Sequence, residues 1–211
     1  MKINNAFARL ASGTALAMLA VSGTAVADNH VGTTYKFGGY AKFDAMFTDY
    51  SSSNTPTGNS LMRQFYYAPQ IPLDVADESG RDITADFQAR ETRINFRADT
   101  KTEGGDSITA FIEMDFFTDL DGNEVVSNSY QPRLRHAFIK YNKWTFGQTW
   151  STFQDVAALP EALDFVGPAE STTCLRQSMV RYTTGNLELA VENPQTFVTG
   201  GTRDLSTMPD L

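Results

Sequence analysis

The sequence of 211 residues is poor in the side chains that build covalent and metal frameworks. It contains one cysteine, Cys174, and two histidines, His30 and His136. A single cysteine cannot close an internal disulfide bond. Without clustered cysteine and histidine, the chain also lacks the ligands of a structural zinc site. We therefore expect neither a disulfide framework nor a metal centre, and no cofactor is predicted.

Positive charge is also scarce. The chain has 17 lysine and arginine residues against 25 aspartate and glutamate residues, which gives a formal net charge of −8. Binding to nucleic acid requires a surplus of cations along one face of a protein. A nucleic acid is therefore not expected among the partners of this chain.

A long apolar run is found only near the N terminus. Lys2 and Arg9 precede an apolar stretch at residues 10–26, and Ala25-Val26-Ala27 supplies the small residues of a cleavage site. We predict a signal peptide at residues 1–27, cleaved before Asp28. An uncleaved anchor is the alternative, but serine, glycine and threonine interrupt the run. Removing these residues takes away two basic groups and no acidic group, so 15 basic residues face 25 acidic residues, a net charge of −10.

After this segment, no apolar stretch approaches the roughly 20 residues that a membrane helix requires. Seven segments instead alternate between apolar and polar residues, which is the period of a β-strand. In the third segment, Ile108 and Ile112 lie on one side while Glu113 and Asp115 lie on the other. Such strands suit a half-buried sheet or a barrel wall between lipid and water. The seven predicted strands are residues 35–47, 91–99, 107–117, 133–141, 144–150, 175–183 and 187–193.

The fourth predicted strand has a conflict in its alternation. Leu134 and Phe138 suit an apolar face, and Arg133 and Arg135 suit a polar face. With that assignment, however, Ile139 falls on the polar side and His136 falls on the apolar side. A β-bulge or a contact between subunits would resolve the conflict.

The connections between the predicted strands alternate in length. A long loop at 49–87, a medium loop at 118–132 and a long loop at 151–173 alternate with short turns at 100–106, 142–143 and 184–186. Outer-membrane barrels have short turns at one end and long loops at the other. A secreted β-sandwich is the alternative, but it would not readily keep every short turn on one side. We therefore predict an all-β protein that forms a transmembrane antiparallel β-barrel, with residues 28–211 as its N-terminal part. Seven strands leave the barrel open, and further strands are expected to complete it.

Four segments resemble the DcaP-like outer-membrane porin family. They are Phe37-Gly-Gly-Tyr40, the run Arg133-Leu-Arg-His-Ala-Phe138, the run Phe146-Gly-Gln-Thr-Trp-Ser-Thr-Phe153, and residues 176–182. The resemblance implies a homotrimer of sixteen-stranded barrels in the outer membrane of a Gram-negative bacterium. It also implies passive diffusion of small polar solutes and a preference for small anions such as dicarboxylates. A coiled-coil segment precedes the barrel in some members, whereas residues 28–34 leave no room for heptads here.

Arginines on the polar parity of the predicted strands are the candidate pore-lining residues: Arg93, Arg97, Arg133, Arg135 and Arg181. A guanidinium group stays charged and offers a planar fork of donors to a carboxylate. By resemblance to general porins, the third long loop folds into the barrel and narrows it. The candidate constriction residues of that loop are Asp155, Glu161, Asp164 and Glu170. The alternative is that the arginines only pair with Glu91, Glu113 and Asp115 to satisfy a polar interior.

Two other functions remain possible for an outer-membrane barrel. A lipase or protease would need a Ser-His-acid arrangement built on His136, but no serine stands in a recognisable nucleophile turn. A surface adhesin could bind partners through the long loop at residues 49–87. We expect no enzyme activity.

Overall fold

The computed structural model describes residues 25–28, 32–49, 65, 83–117, 122, 124–125, 127–159 and 175–194. These ranges contain ten strands and a short 3₁₀ helix, Val156–Ala158. The strands are β1 (Ala25–Asp28), β2 (Thr33–Tyr40), β3 (Asp44–Thr48), β4 (Thr84–Gln88), β5 (Arg93–Lys101), β6 (Ser107–Asp115), β7 (Arg133–Tyr141), β8 (Trp144–Trp150), β9 (Arg176–Thr184) and β10 (Leu187–Glu192). No helix in the same ranges has the length and apolar character needed to cross a membrane.

Eight strands form one antiparallel sheet in the order β1-β2-β5-β6-β7-β8-β9-β10, and β3 pairs with β4 in a second sheet. Strands β5 to β10 are neighbours in space in the order in which they follow one another in the chain. This arrangement confirms the predicted all-β antiparallel fold. It also explains why local alternation was informative, because each of these strands pairs with the next one in sequence.

The two faces of the larger sheet differ in chemistry. One face, called the apolar face, presents large side chains to the exterior: Phe37, Ile94, Ile112, Leu134, Ile139, Phe146, Val180 and Leu189. The opposite face, called the polar face, carries Arg93, Arg97, Glu113, Asp115, Arg133, Arg135, Arg181 and Glu192. A continuous apolar surface of this kind is unfavourable in water and suits hydrocarbon.

The short turns meet at one end of the sheet. The side-chain oxygen of Asn142, between β7 and β8, accepts a hydrogen bond from the backbone N–H of Ser107 at the start of β6, 2.9 Å away. The carbonyl of Lys143 accepts from the backbone N–H of Thr183 near the β9–β10 turn, also at 2.9 Å. Adjacent turns are therefore joined to each other, as the alternating loop lengths predicted.

A β-bulge in β7 resolves the conflict in the fourth predicted strand. Glu113 of β6 faces His136, but the next residue, Met114, faces Leu134, so Arg135 is an extra residue on β7. His136 and Phe138 consequently lie on the polar face. The assignment of Phe138 to the apolar side was wrong, because the bulge shifts the alternation by one residue. Its ring lies 5.4 Å from that of Phe111 on the polar face.

The first predicted strand, residues 35–47, is two strands instead of one. Strand β2 ends at Tyr40 before β3 begins at Asp44, and Gly39, next to this end, has a φ of +138°. A Cβ at Gly39 would lie 2.1 Å from the carbonyl oxygen of Arg93, so the close approach of these two backbones requires glycine. Strand β3 then pairs with β4, which lies mostly in the segment predicted as a long loop at 49–87.

Strand β1 was not predicted, because its residues were assigned to the end of the signal peptide. It pairs with β2 from Ala25 opposite Phe37 to Asp28 opposite Thr34. The predicted cleavage site before Asp28 therefore lies inside this strand.

Candidate functional site

The centre of the polar face is an ion-pair network around Asp115. The register places Asp115 at the end of β6 directly opposite Arg133 on β7. Arg133 donates from Nε to Oδ1 at 2.9 Å and from Nη2 to Oδ2 at 2.7 Å. This two-point contact matches the planar fork of the guanidinium group to the carboxylate.

Arg135 joins the same network because it lies two residues after Arg133 on β7, on the same face of the strand. Its Nη1 donates to Oδ2 of Asp115 at 3.0 Å, and its Nε donates to Oε1 of Glu113 at 2.8 Å. The side chain of Arg135 is 4% exposed and that of Asp115 is fully buried, whereas that of Arg133 is 27% exposed. Two of the five candidate arginines thus satisfy the buried carboxylate of Asp115, and Arg133 also keeps contact with solvent.

Arg93 adds a further positive charge beside this network. It faces Asp115 from the other side, on β5, and its guanidinium carbon lies 5.4 Å from the centre of the Tyr40 ring. Among the residues that the structure describes, no carboxylate lies within salt-bridge distance of Arg93. Its Nε is buried without a hydrogen-bond partner. Within the described ranges, Arg93 therefore contacts an aromatic ring and pairs with no carboxylate.

Arg97 is the most accessible of the candidates. Its side chain is 48% exposed, and its Nε donates to Oδ2 of Asp99 at 2.8 Å. Asp99 also accepts from the hydroxyl of Thr109 at 2.7 Å and lies 3.7 Å from Nζ of Lys36. Because this position is solvated, the guanidinium group of Arg97 can leave Asp99 and bind a different carboxylate.

Arg181, the last of the five, lies on β9. Its Nη1 is 3.8 Å from Oε2 of Glu188 on β10, at the limit of an ion pair. All five arginines predicted from parity thus lie on the polar face. They differ in the number of carboxylates that pair with them and in the distance between the paired atoms.

The structure describes the first residues of the third long loop, 151–159, which we call the root of the loop. The side chain of Asp155 caps the 3₁₀ helix by accepting from the backbone N–H of Ala157 at 2.9 Å. The other predicted constriction residues, Glu161, Asp164 and Glu170, lie outside the described residues. Sequence reasoning missed Glu192, whose Oε1 accepts from the backbone N–H of Thr152 at 2.7 Å and ties this root to β10. Its polar parity on the last strand was a usable signal.

A second buried charged group surrounds Lys42, between β2 and β3. Its Nζ lies 3.2 Å from Oδ1 of Asp44 and donates to Oε2 of Glu91. All three residues are buried. Glu91 had been considered as a partner of the arginines, but lysine holds it instead. The alternation of the sequence placed Lys42 and Asp44 on the polar side, but it could not predict that Glu91 lies beside them.

His136 is engaged in packing. Its Nδ1 lies 3.1 Å from the hydroxyl of Thr149, and its ring meets that of Trp150 edge-on at 5.6 Å. In the described part of the chain, no group of three or more histidine, cysteine or acidic residues could hold a metal ion.

Comparison with known proteins gives two matches. A family model described as the DcaP outer membrane protein matches residues 10–192. The crystal structure of the outer membrane channel DcaP of Acinetobacter baumannii matches with a TM-score of 0.53 and 25% identity, covering 80% of this chain and 44% of that one. The chain thus spans less than half the length of that solved channel, and neither description names an enzyme. A comparison with curated proteins finds no match.

The match to an outer-membrane channel decides between the two architectures considered from the sequence. The antiparallel sheet, with its exposed apolar face, is part of a transmembrane β-barrel, and the secreted sandwich is excluded. The chain belongs to the DcaP outer membrane protein family.

Proposed function

We propose that the full-length protein is an outer-membrane porin through which small hydrophilic solutes diffuse passively. The observation that carries this proposal is the contrast between the two faces of the larger sheet. Large apolar side chains on one face suit lipid, and arginines with carboxylates on the other suit a water-filled lumen. The solved relative is described as an outer membrane channel, which supports the same function.

We further propose that the pore favours small anions such as dicarboxylates. Glu113 and Asp115 are both bound by arginine, so their charge is largely compensated at the wall. Arg93 keeps its charge without a carboxylate among the described residues, and Arg97 is half-exposed beside Asp99. An entering carboxylate would meet these cations as a series of weak contacts, which favours passage over trapping.

The remaining expectations belong to the same proposal. Export would use the signal peptide at residues 1–27, and the barrels would assemble as a homotrimer in the outer membrane of a Gram-negative bacterium. The third long loop, with Asp155, Glu161, Asp164 and Glu170, would narrow the pore opposite the arginines. This role of the loop is supported by the anchoring of its root, because the backbone N–H of Thr152 donates a hydrogen bond to Glu192 of β10.

Reversal potentials of the full-length protein in planar bilayers under a salt gradient test the anion preference. We expect the unaltered protein to favour anions, and Arg93→Ala and Arg97→Ala each to reduce that preference. Lys143→Ala is the matched control, because Lys143 is an exposed cation in the turn between β7 and β8, where its Nζ donates to the Thr184 hydroxyl. Reversal potentials that do not change in both arginine variants would reject the arginines as the source of selectivity.

A further inference from the structure

An aromatic groove lies where β4 leads into β5, on the apolar side of the protein. Its volume is about 460 Å³, which is within the range of sites that hold small ligands. Phe43 and Phe87 form one wall, and their ring centres lie 5.9 Å apart. Other described residues that line it are Arg90, Phe116, Glu124 and Tyr130. We call this site the outer groove.

The outer groove continues the lipid-facing surface of the barrel. Phe116 has the same parity as Ile112 of the apolar face and lies one residue beyond the end of β6. Phe43 and Phe87 are exposed, as is Phe47, whose ring centre lies 6.3 Å from that of Phe87. Exposed apolar side chains that extend a barrel wall in this way are expected to meet lipid.

The groove lies at the end of the sheet opposite the short turns. The backbone N–H of Phe116 donates to the carbonyl of Arg90 at 3.1 Å, which joins the end of β6 to the segment before β5. In outer-membrane barrels the short turns are periplasmic and the long loops face the exterior, with aromatic girdles at both interfaces. The outer groove therefore lies at the level of the outer leaflet.

Arg90 brings a positive charge to this apolar site. Its guanidinium carbon lies 4.7 Å from the centre of the Tyr130 ring, which belongs to the loop between β6 and β7. A guanidinium group stacked on a ring directs N–H donors from its edge, and such donors match the oxygens of a phosphate. Glu124 is the carboxylate among the described lining residues, but it is exposed, so water and salt screen its charge.

We propose that the outer groove binds a phosphorylated glycolipid of the outer leaflet. One acyl chain packs between Phe43, Phe87 and Phe116, and a phosphate of the headgroup accepts hydrogen bonds from Arg90. The glycolipid is the occupant because the groove lies at the exterior end of the wall and combines an apolar cavity with a cation. The inference rests on the barrel architecture and does not depend on conduction through the pore.

The test measures lipid binding to the full-length protein in detergent by native mass spectrometry, with bisphosphorylated lipid A as the probe. We expect Arg90→Gln to weaken binding about tenfold, because hydrogen bonds to charged groups are stronger than neutral ones. Removal of the phosphates from lipid A should weaken binding to the unaltered protein similarly, with little further effect in Arg90→Gln. Lys143→Gln is the matched control, because Lys143 is an exposed cation at the other end of the sheet. We expect this control to bind lipid A normally.

Phe87→Ala tests the apolar part of the groove. We expect it to weaken the binding of both phosphorylated and dephosphorylated lipid A, because the acyl chain loses one wall. Phe146→Ala is the matched control, since Phe146 is also an exposed phenylalanine of the apolar face but lies on β8, away from the groove. Unchanged binding in Phe87→Ala, or an equal loss in Phe146→Ala, would overturn the position assigned to the acyl chain.

Two results would overturn the assignment of the headgroup. One is unchanged binding of bisphosphorylated lipid A by Arg90→Gln, and the other is equal affinity of the unaltered protein for phosphatidylglycerol. Should Arg90→Gln fail to fold, Arg90→Lys replaces it, because lysine keeps the charge but lacks the planar fork. Weaker binding is then expected, and unchanged binding would again overturn the inference. Absence of saturable lipid binding in a protein that still shows stepwise conductance would count against this inference and not against the proposed pore.

Discussion

The Nη1 atom of Arg135 lies 3.0 Å from Oδ2 of Asp115, although the two residues belong to opposite strands at different ladder positions. The register pairs Asp115 with Arg133, and Arg135 reaches the same carboxylate from two residues further along the same face of β7. Neither side chain of this contact is more than 4% exposed. Asp115 thus accepts hydrogen bonds from two arginines, and Arg135 also pairs with Glu113.

We predict that Asp115→Asn lowers stability and increases the preference for anions. The buried network loses the charge that holds Arg133 and Arg135, and breaking one partner of a buried ion pair costs about 3–5 kcal/mol. Thermal unfolding and reversal potentials of the full-length protein measure the two effects. Glu188→Gln serves as the control, because Glu188 lies at the longer distance of 3.8 Å from Arg181. An equal or smaller loss of stability in Asp115→Asn would contradict the prediction.

The close approach at Gly39 predicts a graded series of alanine variants. Gly39→Ala forces a side chain into the left-handed region, 2.1 Å from a backbone oxygen, while Gly105→Ala, at a φ of +87°, meets nothing within 4 Å. Gly104→Ala introduces neither problem, since its nearest neighbour is the Thr102 hydroxyl at 3.7 Å. Strain of this kind costs about 1–3 kcal/mol. We expect the loss of thermal stability to be largest for Gly39, smaller for Gly105 and absent for Gly104, and any other order would contradict the account.

The turn at Asp106 predicts a pH dependence. Hydrogen bonds from the Asn142 amide and then the Tyr141 hydroxyl, 2.8 Å and 2.7 Å away, hold the pKa of Asp106 below its ordinary value of 3.8. A carboxyl with a lowered pKa in the folded state stabilises the fold above its ordinary pKa. That contribution is lost as the pH falls through the lowered value.

We therefore expect Asp106→Ala to lower the melting temperature slightly at neutral pH, with the difference from the unaltered protein shrinking in acid. Melting curves between neutral pH and about pH 2 measure this difference, because protonation removes the charge that strengthens both hydrogen bonds. Glu103→Ala, in the same turn, is the control, since Glu103 makes no hydrogen bond or ion pair with the described residues. A difference that is constant with pH would contradict the prediction.

The signal peptide proposed at residues 1–27 predicts that the exported protein begins at Asp28. If cleavage occurs before Asp28, three of the four residues of β1 are removed and the edge of β2 becomes available to another strand of the full-length barrel. The mass of protein recovered from outer membranes measures the cleavage site. We expect a first residue of Asp28, and Ala27→Leu should accumulate precursor. Recovery of a chain that retains β1 would contradict the prediction.

The sequence predicted most of the larger sheet, because alternation is a local property and neighbouring strands are also neighbours in the chain. It included most of β3 in a single strand at residues 35–47, and it missed the partner strand β4, which has only five residues, too few for a clear period. The close approach of Gly39 to the Arg93 carbonyl, near the end of β2, is a contact between distant segments and is not visible in local alternation.

The candidate site was predictable in its composition but not in its pairing. Parity placed the five arginines on one face, yet the partner of each one depends on register. The conflict at residues 133–141 indicated a bulge or a contact between subunits, but it could not identify Arg135 as the extra residue. Gln148 was visible as a polar residue in an apolar pattern. Its hydrogen bonds to the carbonyls of Leu134 and Arg135 could not be predicted from the sequence.

The central claim, a passive pore formed by the full-length protein, is tested most directly by single-channel recording in planar bilayers. We expect discrete, stepwise increases of conductance when purified full-length protein is added, with no requirement for an energy source. Arg97→Ala should retain these steps, because it changes the charge of the wall and not the barrel. Membranes that contain the folded, inserted protein but show no discrete conductance would contradict the account.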